Sequence, residues 1–126
     1  MQEIIKKLKF KDIGTVINAP KAMEEEWVKL GFKTAWNKKI KNSNTLVFIN
    51  NNKEFLNFLK NNLIYIETDS VLWLAYPKGT SKIKTDINRD TIRVTAEEFG
   101  ITTVSAISIN EIWSSLRFRP IDRVGK

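Results

Sequence analysis

A serine flanked by lysines, two aspartates four residues apart and a group of cations all lie between Tyr76 and Asp90, directly after the apolar run Val71 to Ala75. Ser81 near Lys78, Lys82 and Lys84 has the types needed for a serine nucleophile with a lysine base, since a hydroxyl attacks only with a base beside it. Serine and lysine also meet by chance in any solvated loop, and that reading weighs more. Asp86 and Asp90 have the types for Mg²⁺ or general acid–base chemistry. At a helix start they complement the helix dipole with Arg89 and Arg93 as charge partners, and the structural role is the stronger one. No catalytic residue and no metal ligand is assigned. Lys78, Lys84, Asn88 and Arg89 make a candidate anion-binding set, because cations and amides between a strand and a helix N-terminus favour negative charge.

Other chemistries are closed by composition. The 126 residues contain no Cys and no His. Thiol nucleophiles, disulfides and thiolate metal sites are therefore excluded, together with the usual base at neutral pH and the commonest transition-metal ligand. The net charge is +7. Residues 1 to 41 hold ten Lys and five acids, so most of the excess sits at the N-terminal end. Lys outnumbers Arg by 16 to 5. Arg is the better residue for phosphate forks and base edges, so a nucleic-acid partner bound through this Lys-rich third, including Lys38, Lys39 and Lys41, ranks below a solvated surface. The start Met1 to Lys7 lacks the apolar core of a signal peptide and no apolar run reaches membrane-spanning length. The expected location is cytoplasmic, with no membrane partner.

The elements that must position these residues alternate between strand and helix. Thr15 to Ala19 reads as a short buried strand, and Pro20 suits the first turn of a helix over Lys21 to Leu30, with Gly31 as its left-handed stop. Met23, Trp27 and Leu30 form the inward face of that helix. Lys33 to Trp36 is a candidate short strand and Lys38 to Ser43 a polar loop. Asn44 to Asn50 is the next strand, with Asn51 or Asn52 capping a helix that carries Phe55, Leu56, Leu59 and Leu63. Val71 to Tyr76 is apolar at every position, as a central strand covered on both faces requires. Asn88 or Asp90 caps a helix through Phe99. Thr102 to Ile109 is a strand, Asn110 caps a turn from Glu111 to Ser115, and Leu116 to Pro120 runs extended.

This alternation predicts one domain over residues 1 to 126, of three-layer α/β/α architecture, with a Rossmann-like, mainly parallel sheet of about five strands. The carboxyl ends of such strands share an edge. Asn18, Asn50, Tyr76 with Lys78, and Asn110 are expected along it. Trp27 and Trp73 are core. Trp113 follows the last strand and precedes Arg117 and Arg119, so it either stacks on a planar ligand or plugs the sheet end.

The segments Ile17-Asn18-Ala19-Pro20, Leu72 to Lys78, Lys84 to Asp90 and Trp113 to Pro120 resemble, in the same order, those of a family of short bacterial α/β proteins defined as a domain of unknown function. The layout is also similar to a stripped-down class I methyltransferase-like Rossmann domain, in which the strand ending in Tyr76-Pro77-Lys78 would be central. Topology does not carry activity. A cofactor lying against the first turn requires glycines there, whereas this chain has Asn18-Ala19-Pro20-Lys21. No cofactor is expected. The leading expectation is a non-enzymatic domain binding a small anionic ligand or an acidic protein surface through Asn18, Lys78, Lys84, Asn88, Arg89, Trp113 and Arg117. The alternatives are a degenerate Rossmann-type transferase using adenosylmethionine or a nucleotide, and the nucleic-acid binder above.

Overall fold

In the computed structural model, which describes residues 2–79 and 84–125, each face of a central sheet is covered by helices. Helices α1 (Gln2–Leu8) and α2 (Lys21–Lys29), α3 (Asn52–Asn57) and α4 (Arg89–Glu97) are interleaved with strands β1 (Thr15–Ile17), β2 (Thr45–Phe48), β3 (Leu72–Pro77), β4 (Ile101–Ser108) and β5 (Trp113–Pro120). After α3 the chain continues through a π turn over Phe58–Asn62 and a 3-10 turn over Leu63–Tyr65.

The order across the sheet is β1-β2-β3-β5-β4. β1, β2 and β3 are parallel, while β5 runs antiparallel to both β3 and β4. The sheet is therefore mixed, with two parallel and two antiparallel pairings. The cause lies in Asn110, whose Oδ1 accepts from the N–H groups of Ile112 and Trp113 at 2.9 and 2.8 Å. That closes a tight turn in place of a helical one. A connection this short joins only antiparallel neighbours, because a parallel return needs a long crossover. Trp113 to Ser115, expected in the turn, are already strand.

Alternation along the strands sorts the core. Val47, Leu72, Leu74, Leu116 and Phe118 face α3 and α4 with Phe55, Ile92 and Ala96. Leu46, Phe48, Trp73, Ala75 and Trp113 face α1 and α2 with Leu8 and Trp27. α1 was given no element by its sequence, being short and lysine-rich. It is tied down by burial of Leu8 and by its carbonyl, which accepts from Trp73 Nε1 at 2.7 Å.

Two glycines have specific tasks. Gly31 ends α2 with φ +92°, a conformation that costs a residue with a Cβ. Gly14 lies so close to Asn44 that a Cβ would sit 1.8 Å from its carbonyl oxygen. This close approach lets Thr15 N donate to Asn44 O and brings β1 beside β2. Residues 33 to 36 form only an isolated bridge, Thr15 to Lys33, in place of the expected strand. No helix among the described residues is long and apolar enough to cross a membrane.

Candidate functional site

The carboxyl ends of β1 and β2 meet the start of α3 around one carboxylate. Asn18 leaves β1 with φ +61°, a left-handed conformation that asparagine tolerates better than most side chains. Its Nδ2 donates to Phe48 O at 3.0 Å and to Glu54 Oε1 at 3.2 Å. Asn50 donates to the same Oε1 from its backbone N at 2.9 Å and its Nδ2 at 3.0 Å. Asn51 caps α3, its Oδ1 accepting from Glu54 N. The Asn51-to-Glu54 spacing is that of a capping box, and it was the sequence signal available for Glu54. The carboxylate turns instead toward the strand ends and fastens β1, β2 and α3 together.

Beside this junction opens a groove of about 610 Å³, bordered by Asn18, Trp36, Asn51, Lys53, Glu54 and Asn62. Trp36 stacks on Phe58 with centroids 5.9 Å apart and planes 16° from parallel, and the Tyr65 ring lies 6.2 Å from Trp36, tilted by 40°. Trp36 and Lys53 were not singled out by their sequence context. Trp36 lies outside any regular element, and Lys53 belongs to an abundant surface type.

The segment after residue 83 completes the rim. Thr85 Oγ1 donates to Asn50 O at 2.7 Å, and Asp86 Oδ1 accepts from Asn52 N at 2.8 Å. Asp86 therefore satisfies the N-terminus of α3, where a negative charge meets the helix dipole, and the expected role at the following helix falls to Asn88. Asn88 Oδ1 accepts from Asp90 N and Thr91 N, both at 3.0 Å, while Asn88 N donates to Thr91 Oγ1. The second and third N–H groups of α4 are thus already engaged.

The expected site residues are not brought together. Asn18 is at the groove. Lys78, at the end of β3, donates through Nζ to Ser108 Oγ at 2.6 Å and through its backbone N to Ile112 O at 2.7 Å, so it braces the β4–β5 hairpin. Lys84, Asn88 and Arg89 are exposed on the approach to α4 and its first turn. Trp113 is buried opposite Pro77, edge-on to Phe48 at 5.1 Å. It fills the end of the sheet. Arg117 pairs with Trp73 and Ser105, away from the carboxyl edge, and its Nε is buried with no hydrogen-bond partner among the described residues. Ser81 and Lys82 lie outside the described residues. Of the Lys38 to Lys41 loop, Lys38 Nζ sits 5.7 Å over the Tyr65 ring and Lys41 Nζ donates to Ile64 O. Among the described residues no cluster of three or more acidic, His or Cys side chains is placed to hold a metal.

The resolved electrostatic perturbations lie away from this edge. Arg119 forms a two-pronged pair with Asp69, Nε and Nη2 each 2.9 Å from a carboxylate oxygen. The hydrogen bond from Arg119 holds the Asp69 carboxyl below its ordinary value and raises the guanidinium in turn.

A crystal structure of a SAM dependent methyltransferase from Aquifex aeolicus aligns with 93% of this chain and 87% of its own, with a TM-score of 0.55 and 14% identity. The likeness is one of fold alone, an α/β arrangement. No family model and no curated protein matches the chain.

Proposed function

We propose that the chain is a binding domain for a small anionic ligand with a planar group, held in the groove between the ends of β1 and β2 and helix α3. The observation that carries this reading is the groove itself, with Trp36 and Lys53 on its border beside the Asn18–Glu54–Asn50 junction. Open α/β sheets bind ligands outside the carboxyl ends of their strands. Trp36 offers a stacking surface on a rigid Phe58 support. Lys53 supplies positive charge. Glu54 already receives three N–H donors through Oε1, which moderates the repulsion an anion would meet there.

The reading moves the ligand from α4 to the groove beside α3 on the strength of the groove and its Trp36 and Lys53 border, since both helix starts are already capped, α3 by Asn51 and Asp86 and α4 by Asn88. Titration with adenosine monophosphate, inorganic phosphate and S-adenosylmethionine, followed by ¹⁵N chemical shifts, tests it. Shifts should concentrate on the Trp36 indole, Asn18 and Asn51. Trp36→Ala and Lys53→Ala should each weaken binding by at least tenfold with the fold retained. Absence of shifts with all three probes would sink the proposal.

A second reading, a transferase on the same scaffold, draws support from the fold likeness to a SAM dependent methyltransferase. The turn after β1 obtains its left-handed residue from Asn18 where nucleotide-binding folds place glycine. The two readings part on the S-adenosylmethionine arm. The transferase reading requires that this probe bind more tightly than adenosine monophosphate and that its methyl group be passed to an acceptor.

A further inference from the structure

The two edges of the sheet are treated differently. At the β1 edge, Val16 N donates to Lys33 O and Lys33 N to Gly14 O, so the outer side of that short strand is covered by the chain itself. At the other edge, β4 is hydrogen-bonded to β5 alone among the described residues. An unpaired strand presents a row of outward N–H and C=O groups, and natural edges are usually blunted by lysine, proline or a short length. β4 spans eight residues, Ile101 to Ser108, with no charged residue and no proline.

Its irregularity does not remove the hazard. The register shifts between Thr103 and Ser105, so Val104 is the extra residue of a bulge. The bulge adjoins the half of β4 that is buried or half-buried, Ile101 to Thr103. From Ser105 to Ser108 the strand is back in regular register with β5, and Val104, Ser105 and Ala106 are exposed.

We propose that β4 is a self-association edge, pairing antiparallel with β4 of a second copy of this chain about a two-fold axis, so that two five-stranded sheets become one. A second copy is favoured over an unrelated strand by self-complementarity, which an isologous contact demands. A neutral strand laid antiparallel on its own copy brings no like charges together. The helix above the edge has the matching property. Glu97 Oε2 accepts from Thr102 Oγ1 at 2.7 Å, which places Glu97 on the β4 side of α4, and Arg93 pairs with it one turn earlier at 3.6 Å. Two opposite charges in a row reverse under a two-fold. Arg93 of one copy then faces the second copy's Glu97, and the reverse.

Sedimentation velocity of the full chain over a wide concentration range tests this. The wild type should pass from a 14.6 kDa species to one of twice that mass. Val104→Lys with Ala106→Lys should stay monomeric at every concentration, while far-ultraviolet circular dichroism and the melting temperature in dilute solution, where both are single chains, remain close to wild type. Arg93→Glu should raise the dimer Kd by about tenfold, since two exposed pairs become repulsions. The swapped pair Arg93→Glu with Glu97→Arg should restore it. A wild type that stays monomeric throughout, or a lysine variant that still dimerises, overturns the proposal. Failure of the swap to restore the dimer overturns the two-fold arrangement.

Discussion

The Asn18 side chain reaches Glu54 Oε1 at 3.2 Å and Phe48 O at 3.0 Å, so one amide links the ends of β1 and β2 to α3. The backbone at Asn18 is left-handed, φ +61°. Two costs can therefore be separated by substitution. Asn18→Gly keeps the backbone conformation available and loses the amide, whereas Asn18→Ala loses the amide and adds the left-handed penalty of a Cβ. Each contribution is about 1 kcal/mol. Urea unfolding should rank wild type above Asn18→Gly and Asn18→Gly above Asn18→Ala. An alanine variant as stable as the glycine variant would contradict the backbone argument.

The two core tryptophans differ in one atom's environment. Trp73 Nε1 donates to Leu8 O at 2.7 Å, while Trp27 Nε1 is buried without a hydrogen-bond partner among the described residues. Both rings are fully buried, so replacement by Phe removes similar volume from each. Trp73→Phe also leaves the Leu8 carbonyl without its donor, and Trp27→Phe removes an unsatisfied N–H. Trp73→Phe should be the more destabilising by about 1–3 kcal/mol. Calorimetric melting of both variants checks the difference, and equal melting temperatures would show that α1 does not depend on this bond.

Asp69 and Arg119 give a pH signature. The Asp69 carboxyl is held below its ordinary value by the hydrogen bond from Arg119. A carboxyl with a depressed folded-state value contributes stability that is present above its unfolded value and is lost as pH falls through the folded one. Both side chains are partly exposed, so the effect is small and screened by salt. Asp69→Asn should lower stability at neutral pH and show a shallower further loss on acidification than wild type. Identical acid-unfolding slopes for the two proteins would contradict the assignment.

How far the sequence foretold this arrangement depended on the range of the forces involved. The cap at Asn51, the cap at Asn88, the stop at Gly31 and the apolar run of β3 are local and were legible in order. The antiparallel course of β5 was not. It depends on Asn110 closing a tight turn on Ile112 and Trp113, and an Asn before a mixed segment serves equally to start a helix. The groove was hidden for a different reason. Trp36 and Glu54 are distant in sequence, and only the packing of Phe58 under Trp36 and the return of Asn18 over Glu54 bring them to one border. Arg117 and Trp113 followed their strand to positions set by register, one away from the edge and one inside it.

Asn88 separates a cap from an anion site. Its Oδ1 holds the N–H groups of Asp90 and Thr91, so an anion bound at the α4 N-terminus would have to displace it. Asn88→Ala removes the cap and should cost about 1 kcal/mol. Asn88→Asp keeps the acceptor and adds a negative charge where the helix dipole favours it, so stability should be equal or slightly higher. The same substitution places that charge on the path of any anion approaching α4. If adenosine monophosphate binds in the groove beside α3, Asn88→Asp leaves its affinity within about twofold, because residue 88 is exposed and does not border the groove, and charges between exposed groups are screened by salt. If the ligand sits instead at α4 with Lys84 and Arg89, Asn88→Asp should abolish binding while the melting temperature holds. Chemical-shift titration of this one stable variant therefore decides which end of the sheet edge carries the ligand.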